Sequence, residues 1–92
     1  MIIQLKDGLT LSNAGFIFDT RTRKSFTINP LGLEIIRMLK KGISIHVIKH
    51  EITKEHLLDG DSFKKDFDSL ISMLKKHKLL LQLEEEKFDI SG

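Results

Sequence analysis

The chain has 92 residues, a formal net charge of +2 and no cysteine, tryptophan or tyrosine. This length predicts a single domain, and the absence of cysteine excludes a disulfide scaffold, a thiolate nucleophile and a cysteine-ligated metal. No apolar run approaches the roughly 20 residues of a membrane-spanning helix, and Met1–Gln4 does not resemble a signal peptide, so a soluble cytoplasmic protein is expected.

Two short apolar stretches open the chain. Ile2–Leu5 and Leu9–Leu11 lie on either side of Asp7-Gly8, which is a turn dipeptide. Asn13–Gly15 is predicted to interrupt the second stretch. The pattern is typical of short β-strands.

A predicted β-hairpin follows. Gly15–Asp19 is a strand in which Phe16 and Phe18 share one face, and a polar turn separates it from a second strand over Lys24–Asn29. The second strand alternates between two apolar and two small polar side chains, namely Phe26 and Ile28 against Ser25 and Thr27. This alternation predicts one packed face and one wetter face.

From Pro30 onward the chain has helical periodicity. Asn29 is a good N-cap and Pro30 suits the first helical position, so a helix is predicted to about Lys40. Ser44 is the predicted cap of a second helix, whose apolar face would be formed by Ile45, Ile48 and Ile52.

A third helix has the strongest amphipathic pattern of the chain. Asp59–Asp61 is predicted as a turn, with Asp61 or Ser62 as the helix cap. The apolar stripe has the spacing i, i+4, i+7, i+8 and i+11, and consists of Phe63, Phe67, Leu70, Ile71 and Leu74. Leu79–Leu83 is predicted as a short final strand or as an apolar tail that packs back. Residues 84–92 contain four acids and one base, so a flexible acidic tail is expected after a domain of residues 1–83.

The order of these elements predicts an α+β fold. A winged-helix-like domain, with a three-stranded antiparallel sheet packed on a three-helix bundle, accounts for it.

The histidines do not form a recognisable metal site. His46 and His50 are four residues apart on the second helix, but Lys54 stands where H-E-x-x-H has its second histidine. His56 is predicted to lie beyond the helix end, so no third ligand has suitable spacing. Because the acids are interleaved with lysines and no nucleophile motif is present, we predict a protein that is not an enzyme and has no metal or cofactor.

Basic residues surround the hairpin turn and end the first and third helices, where a winged-helix DNA-binding protein carries charge. These residues are Arg21, Arg23 and Lys24, then Arg37, Lys40 and Lys41, then Lys75, Lys76, His77 and Lys78. Lysines near helix C-termini also follow from the helix dipole, and Asp61, Asp66 and Asp68 on the third helix would repel phosphates. DNA binding is therefore an alternative rather than the leading hypothesis.

The order and spacing of several short motifs from Gly15 to Leu81 resemble the PqqD-like family, the precursor-peptide recognition elements of ribosomal peptide modification. The motifs are the strand Gly15–Asp19, the step Phe26–Asn29 that opens a helix, Gly32, the capped second helix at Ser44, Ile45 and Ile48, and the closing run Leu70–Leu81. The chain departs from the family at three positions. Arg23 and Lys78 stand where the family often has glycine, and Val47 replaces a commonly acidic residue.

The resemblance implies a non-catalytic peptide chaperone. A leader peptide would add as a strand beside an edge strand, lie in a groove against the third helix, and be presented to a modifying enzyme such as a radical S-adenosylmethionine protein. The sequence supports the strand addition independently, because Lys24–Ile28 is short, free of proline and flanked by charge. The predicted peptide-binding residues are Arg23, Lys24, Ser25, Phe26, Thr27, Ile28, Phe63, Phe67, Leu70 and Leu74.

Three questions stay open in the sequence. The strand at Lys24–Ile28 could be no more than a hairpin arm. One flank of the third helix carries Asp66, Met73 and His77 and the other Lys64, Asp68 and Lys75, and either could line the groove. The protein could be a monomer or a weak homodimer, paired through its edge strands or through Leu79–Leu83.

Overall fold

A computed structural model describes residues 2–84 of the chain. Its elements are β1 (Ile2–Leu5), β2 (Leu9–Ser12), β3 (Phe16–Asp19), β4 (Lys24–Thr27), α1 (Pro30–Lys40), α2 (Ile45–His56), α3 (Gly60–Lys76) and β5 (Leu80–Glu84). The predicted α+β class is confirmed, with a three-stranded antiparallel sheet in the order β2-β3-β4. The predicted acidic tail lies outside the described residues except for Glu84, which is the last residue of β5. No helix among residues 2–84 has the length and apolar character needed to cross a membrane.

The three-stranded sheet has one packed face and one open face. Leu11, Ile17 and Phe26 are in register across its strands, and Ile17 is fully buried. Phe16 and Phe18 share the opposite face, as predicted, and are 42% and 40% exposed. Ile17 of β3 therefore lies on the packed face, and the rings of Phe16 and Phe18 lie on the open face.

Of the two alternatives predicted for Leu79–Leu83, the short strand is confirmed, since β5 covers Leu80–Glu84. This strand pairs with β1. The two strands form a separate antiparallel sheet in which Ile3 is opposite Leu83 and Gln4 is opposite Gln82. The N–H of Lys6 then donates to the carbonyl of Leu79 at 3.0 Å. The stretches around Asp7-Gly8 therefore belong to two different sheets.

The core lies between the packed face of the sheet and the apolar faces of the three helices. Burying one such aliphatic side chain contributes about 1.5–3 kcal/mol. The predicted stripes of α2 and α3 are confirmed as core. The fully buried apolar side chains are Ile17, Ile35, Ile36, Ile48, Ile52, Leu74 and Leu79.

The first two helix caps are those predicted. The Asn29 Oδ1 atom accepts a hydrogen bond from the N–H of Gly32 at 2.7 Å, and Pro30 is the first residue of α1. The Ser44 Oγ atom accepts from the N–H of Val47 at 3.4 Å.

The predicted cap of the third helix is wrong. Asp59, rather than Asp61 or Ser62, caps α3, and the helix begins at Gly60. The Asp59 carboxylate accepts from the N–H of Ser62 at 2.6 Å, because a cap side chain reaches the free N–H three residues later. The pKa of Asp59 is lowered by this hydrogen bond.

Each of the three helices is followed by a residue with a left-handed backbone. The residue after it donates its N–H to the carbonyl of the residue five positions earlier in the chain. The left-handed residues are Gly42, Leu57 and Lys78, with φ of 77°, 53° and 56°, and the donors are Ile43, Leu58 and Leu79. His56, predicted beyond the second helix, is its last residue, because the chain first turns left-handed at Leu57.

An ion pair at the end of β3 ties the two sheets together. Lys6 Nζ lies 2.6 Å from Asp19 Oδ2, and Asp19 is only 1% exposed. The second carboxylate oxygen accepts from the N–H of Arg21 at 3.0 Å. Lys6 is the main reason why the pKa of Asp19 falls from 3.8 to about 2.

We expect Asp19→Asn to lower the free energy of unfolding at pH 7. A lowered pKa in the folded state stabilises the protein above pH 3.8, and this contribution is lost as the pH falls towards 2. Urea denaturation at several pH values should therefore show a gap between wild type and variant that closes below pH 4. Asp7→Asn, in the exposed turn beside Lys6, is the matched control. A gap of equal size at all pH values would contradict this assignment.

Lys78→Gly should stabilise the protein by roughly 0.5–1 kcal/mol, because glycine adopts a left-handed conformation without the penalty that a Cβ imposes. Lys76→Gly makes the same change inside the last turn of α3 and should cost about 1 kcal/mol. Denaturation midpoints measure both. Equal destabilisation by the two variants would show that Lys78 makes contacts that outweigh its backbone strain.

Candidate functional site

β4 presents a sheet edge, since among the described strands it pairs with β3 alone. The Ile28 N–H donates to the Gly15 carbonyl at 2.8 Å, which fixes the alternation of backbone groups along the strand. Because hydrogen-bonded and non-hydrogen-bonded pairs alternate in an antiparallel ladder, Phe26 faces β3 with its N–H and C=O. The corresponding groups of Ser25 and Thr27 face outward, towards the edge.

The opposite edge of the same sheet is partly covered. Lys40 Nζ donates to the outward carbonyl of Leu9 on β2 at 2.8 Å. The Arg37 guanidinium also donates to the side-chain oxygen of Asn13, in the turn after β2. Side chains from α1 therefore occupy the β2 edge, and no equivalent contact is made to Ser25 or Thr27 by the described residues.

A groove of about 200 Å³ lies beside the end of β4. Its floor comes from α1 and its far wall from α3. The lining residues are Thr27, Ile28, Asn29, Leu31, Gly32, Ile35, Asp66, Ser69, Leu70 and Met73. The strand edge and the groove are thus adjacent, and one ligand could contact both.

The structure identifies the flank of α3 that faces β4. Asp66 and Met73 line the groove, and the ring of His77 lies 4.4 Å from the ring of Phe26. Lys64 and Asp68 instead line a second cavity between α2 and α3.

The predicted site residues fall into two groups. The six from the hairpin, Arg23 to Ile28, lie together along or beside the open edge. Of the four from α3, Leu70 lines the groove and Leu74 is fully buried. Phe63 and Phe67 are buried and line the second cavity, on the α2 side of the helix.

Sequence reasoning missed the contribution of α1 to this site. Leu31 and Ile35 form the groove floor. Their spacing of one helical turn, immediately after the cap at Asn29, is the signal that could have placed them beneath the end of β4.

The donor atoms that could jointly hold a metal ion, among the described side chains, belong to Glu34, Glu55 and His56 and lie within 4.8 Å of one another. His56 Nε2 is 2.7 Å from Glu34 Oε2, and this contact lowers the pKa of Glu34. The pKa of Glu55 is raised by the neighbouring Glu34 carboxylate. The contact between His56 and Glu34 joins the end of α2 to α1, and none of the three residues lines the groove. The predicted absence of a metal stays a prediction.

Comparisons with protein-family models, with curated proteins and with solved structures found no match to the chain.

We expect Gly32→Ala to destabilise the protein by about 1–3 kcal/mol, although alanine normally favours helices. A Cβ at Gly32 would lie 2.8 Å from Ile28 Cγ1 and 3.0 Å from the capping oxygen of Asn29. Gly60→Ala is the control, because its Cβ would meet Lys49 at an ordinary 3.5 Å. Urea denaturation should show a loss only for Gly32→Ala. A gain at both positions would mean that the groove floor can repack.

Proposed function

We propose that this domain is a PqqD-like peptide chaperone, which binds the leader of a precursor peptide by strand addition at β4 and presents it to a separate modifying enzyme. The observation that carries the proposal is the juxtaposition of an open strand edge with a groove of mixed apolar and polar lining, built by α1 and α3. Strand addition uses these two parts, because main-chain hydrogen bonds give affinity and pockets for alternate side chains give specificity.

The edge offers main-chain groups for a short peptide. Ser25 and Thr27 together present two outward N–H and two outward C=O groups, which an extended segment can pair. Side chains of the added strand that lie opposite Phe26 and Ile28 would point to the packed face. That face contains the groove, so the peptide side chains opposite Phe26 and Ile28 would lie on the side of α3.

The groove lining supports binding rather than catalysis. Asp66 is the one carboxylate among its lining residues, and the lining includes no histidine. An acid–base pair needs two titratable groups held in different environments, and this set of residues does not supply one.

Two departures from the family pattern support the resemblance in physical terms. Arg23 and Lys78, at positions where the family often has glycine, have φ of 60° and 56°. Both residues therefore adopt the left-handed backbone that glycine favours. The substitutions keep the course of the chain at the hairpin turn and at the exit from α3.

An NMR titration of the isotope-labelled domain with the leader of a precursor peptide encoded beside its gene tests the proposal. Amide shifts should concentrate at residues 24–29 and 66–73. Absent shifts at millimolar peptide, or shifts spread evenly over the chain, would refute it.

Affinity for duplex DNA that falls steeply with salt would favour the DNA-binding alternative. Pairing of β4 with a second copy would appear as concentration-dependent sedimentation.

Thr27→Pro should weaken peptide binding about tenfold, because it removes one outward N–H and a hydrogen bond of about 1–1.5 kcal/mol. Proline is tolerated at a sheet edge where its N–H is not used within the sheet. Thr27→Val keeps the N–H and the shape of the side chain, so its affinity should be unchanged.

Hydrogen exchange supplies a readout that does not depend on the variants. The amides of Ser25 and Thr27 should exchange fast in the free protein and slowly in the complex. Unchanged affinity of a folded Thr27→Pro variant, or no added protection at these amides, would contradict strand addition.

A further inference from the structure

We infer that the groove selects peptides by the order of their charges: a lysine or arginine beside Asp66, then, four residues later, an acid beside Lys24. This inference rests on the proposed strand addition and names the class of peptide that the site takes.

The groove end beside Ile28 suits a long cationic side chain. Leu31, Leu70 and Met73 give it apolar surface, and Asp66 and Ser69 give it polar groups. Lysine and arginine side chains have an apolar stem, which covers apolar surface, and a charged head, which reaches a polar partner. Asp66 is exposed and has no ion-pair partner among the described residues.

The opposite end of the site is basic. Because Phe26 contacts His77 and Ile28 lies beside Asp66, the site runs from the C-terminal end of α3 towards its middle. Arg23 and Lys24 lie beyond Phe26, are exposed, and take part in no ion pair between described residues.

The carboxylate opposite Lys24 is already occupied. Asp19 is the cross-strand neighbour of Lys24, but it is paired with Lys6 at 2.6 Å. An acidic peptide side chain is therefore the partner that this end of the edge lacks.

The spacing follows from strand geometry. The side chains of Lys24, Phe26 and Ile28 lie on one face of β4, because side chains alternate along a strand. The side chains of the peptide residues opposite them therefore lie on the same, packed face of the sheet. The sheet is antiparallel throughout, and antiparallel pairing is slightly more stable per residue. An antiparallel peptide would place its basic residue opposite Ile28, an apolar residue opposite Phe26 and an acid opposite Lys24, over about 13 Å.

Capped threonine-based octapeptides test this order. One has lysine, valine and glutamate at positions 2, 4 and 6, a second exchanges the lysine and glutamate, and a third has leucine at position 2. We expect the first to bind about five- to tenfold more tightly than the second by NMR titration. Equal binding of all three with shifts at β4 would overturn the charge rule and leave strand addition standing. Absence of any shift would count against both.

Charge reversal on α3 separates a local contact from the general field of the protein. Asp66→Lys should reverse the preference between the first two peptides. Asp68→Lys makes the same change on the other flank, in the cavity next to α2, and should preserve the preference. Both positions are exposed, so both variants are expected to fold. An equal effect of the two variants would show that net charge, rather than the groove, sets the order.

Discussion

The junction between β4 and α1 is the constraint on which the candidate site depends. The N–H of Ile28 is held by the Gly15 carbonyl at 2.8 Å, and the next side chain, Asn29, holds the N–H of Gly32 at 2.7 Å. The two residues between the strand and the helix, Ile28 and Asn29, are therefore both held by hydrogen bonds. Because a Cβ at Gly32 would meet Ile28 at 2.8 Å, the first turn of α1 lies directly against the strand end. The edge of β4 and the groove floor consequently keep one relative position.

Features set by local interactions could be predicted from the sequence, and long-range pairing could not. Asn29 and Ser44 were recognisable as caps because the N–H that each one binds lies three residues away. The cap of α3 was ambiguous, since three good capping residues, Asp59, Asp61 and Ser62, lie close together there and the structure uses the first. The pairing of β1 with β5 joins the two ends of the described chain, and strands this short contain no signal for their register.

The strand half of the candidate site was predictable, while the helix half was only partly so. Alternation along Lys24–Ile28 indicates which side chains share a face, and the structure agrees. The stripe of α3 is wider than its contact with any one neighbour, so Phe63 and Phe67 pack towards α2 while Leu70 reaches the groove. A one-dimensional apolar pattern shows that a residue is buried, but the direction in which it is buried depends on the packing of the other helices.

The pairing of β1 with β5 also brings the first and the last described strands of the chain together. Ile2 is directly opposite Glu84, and such partners have Cα atoms about 5 Å apart. These two strands form a sheet that does not include β4. A short linker between Ile2 and Glu84 would give a circular permutant of the described residues that keeps each of their strand pairs. For the same reason residues 2–84 could be inserted into a surface loop of another protein through two short connections, which would hold the β4 edge at a fixed distance from the host.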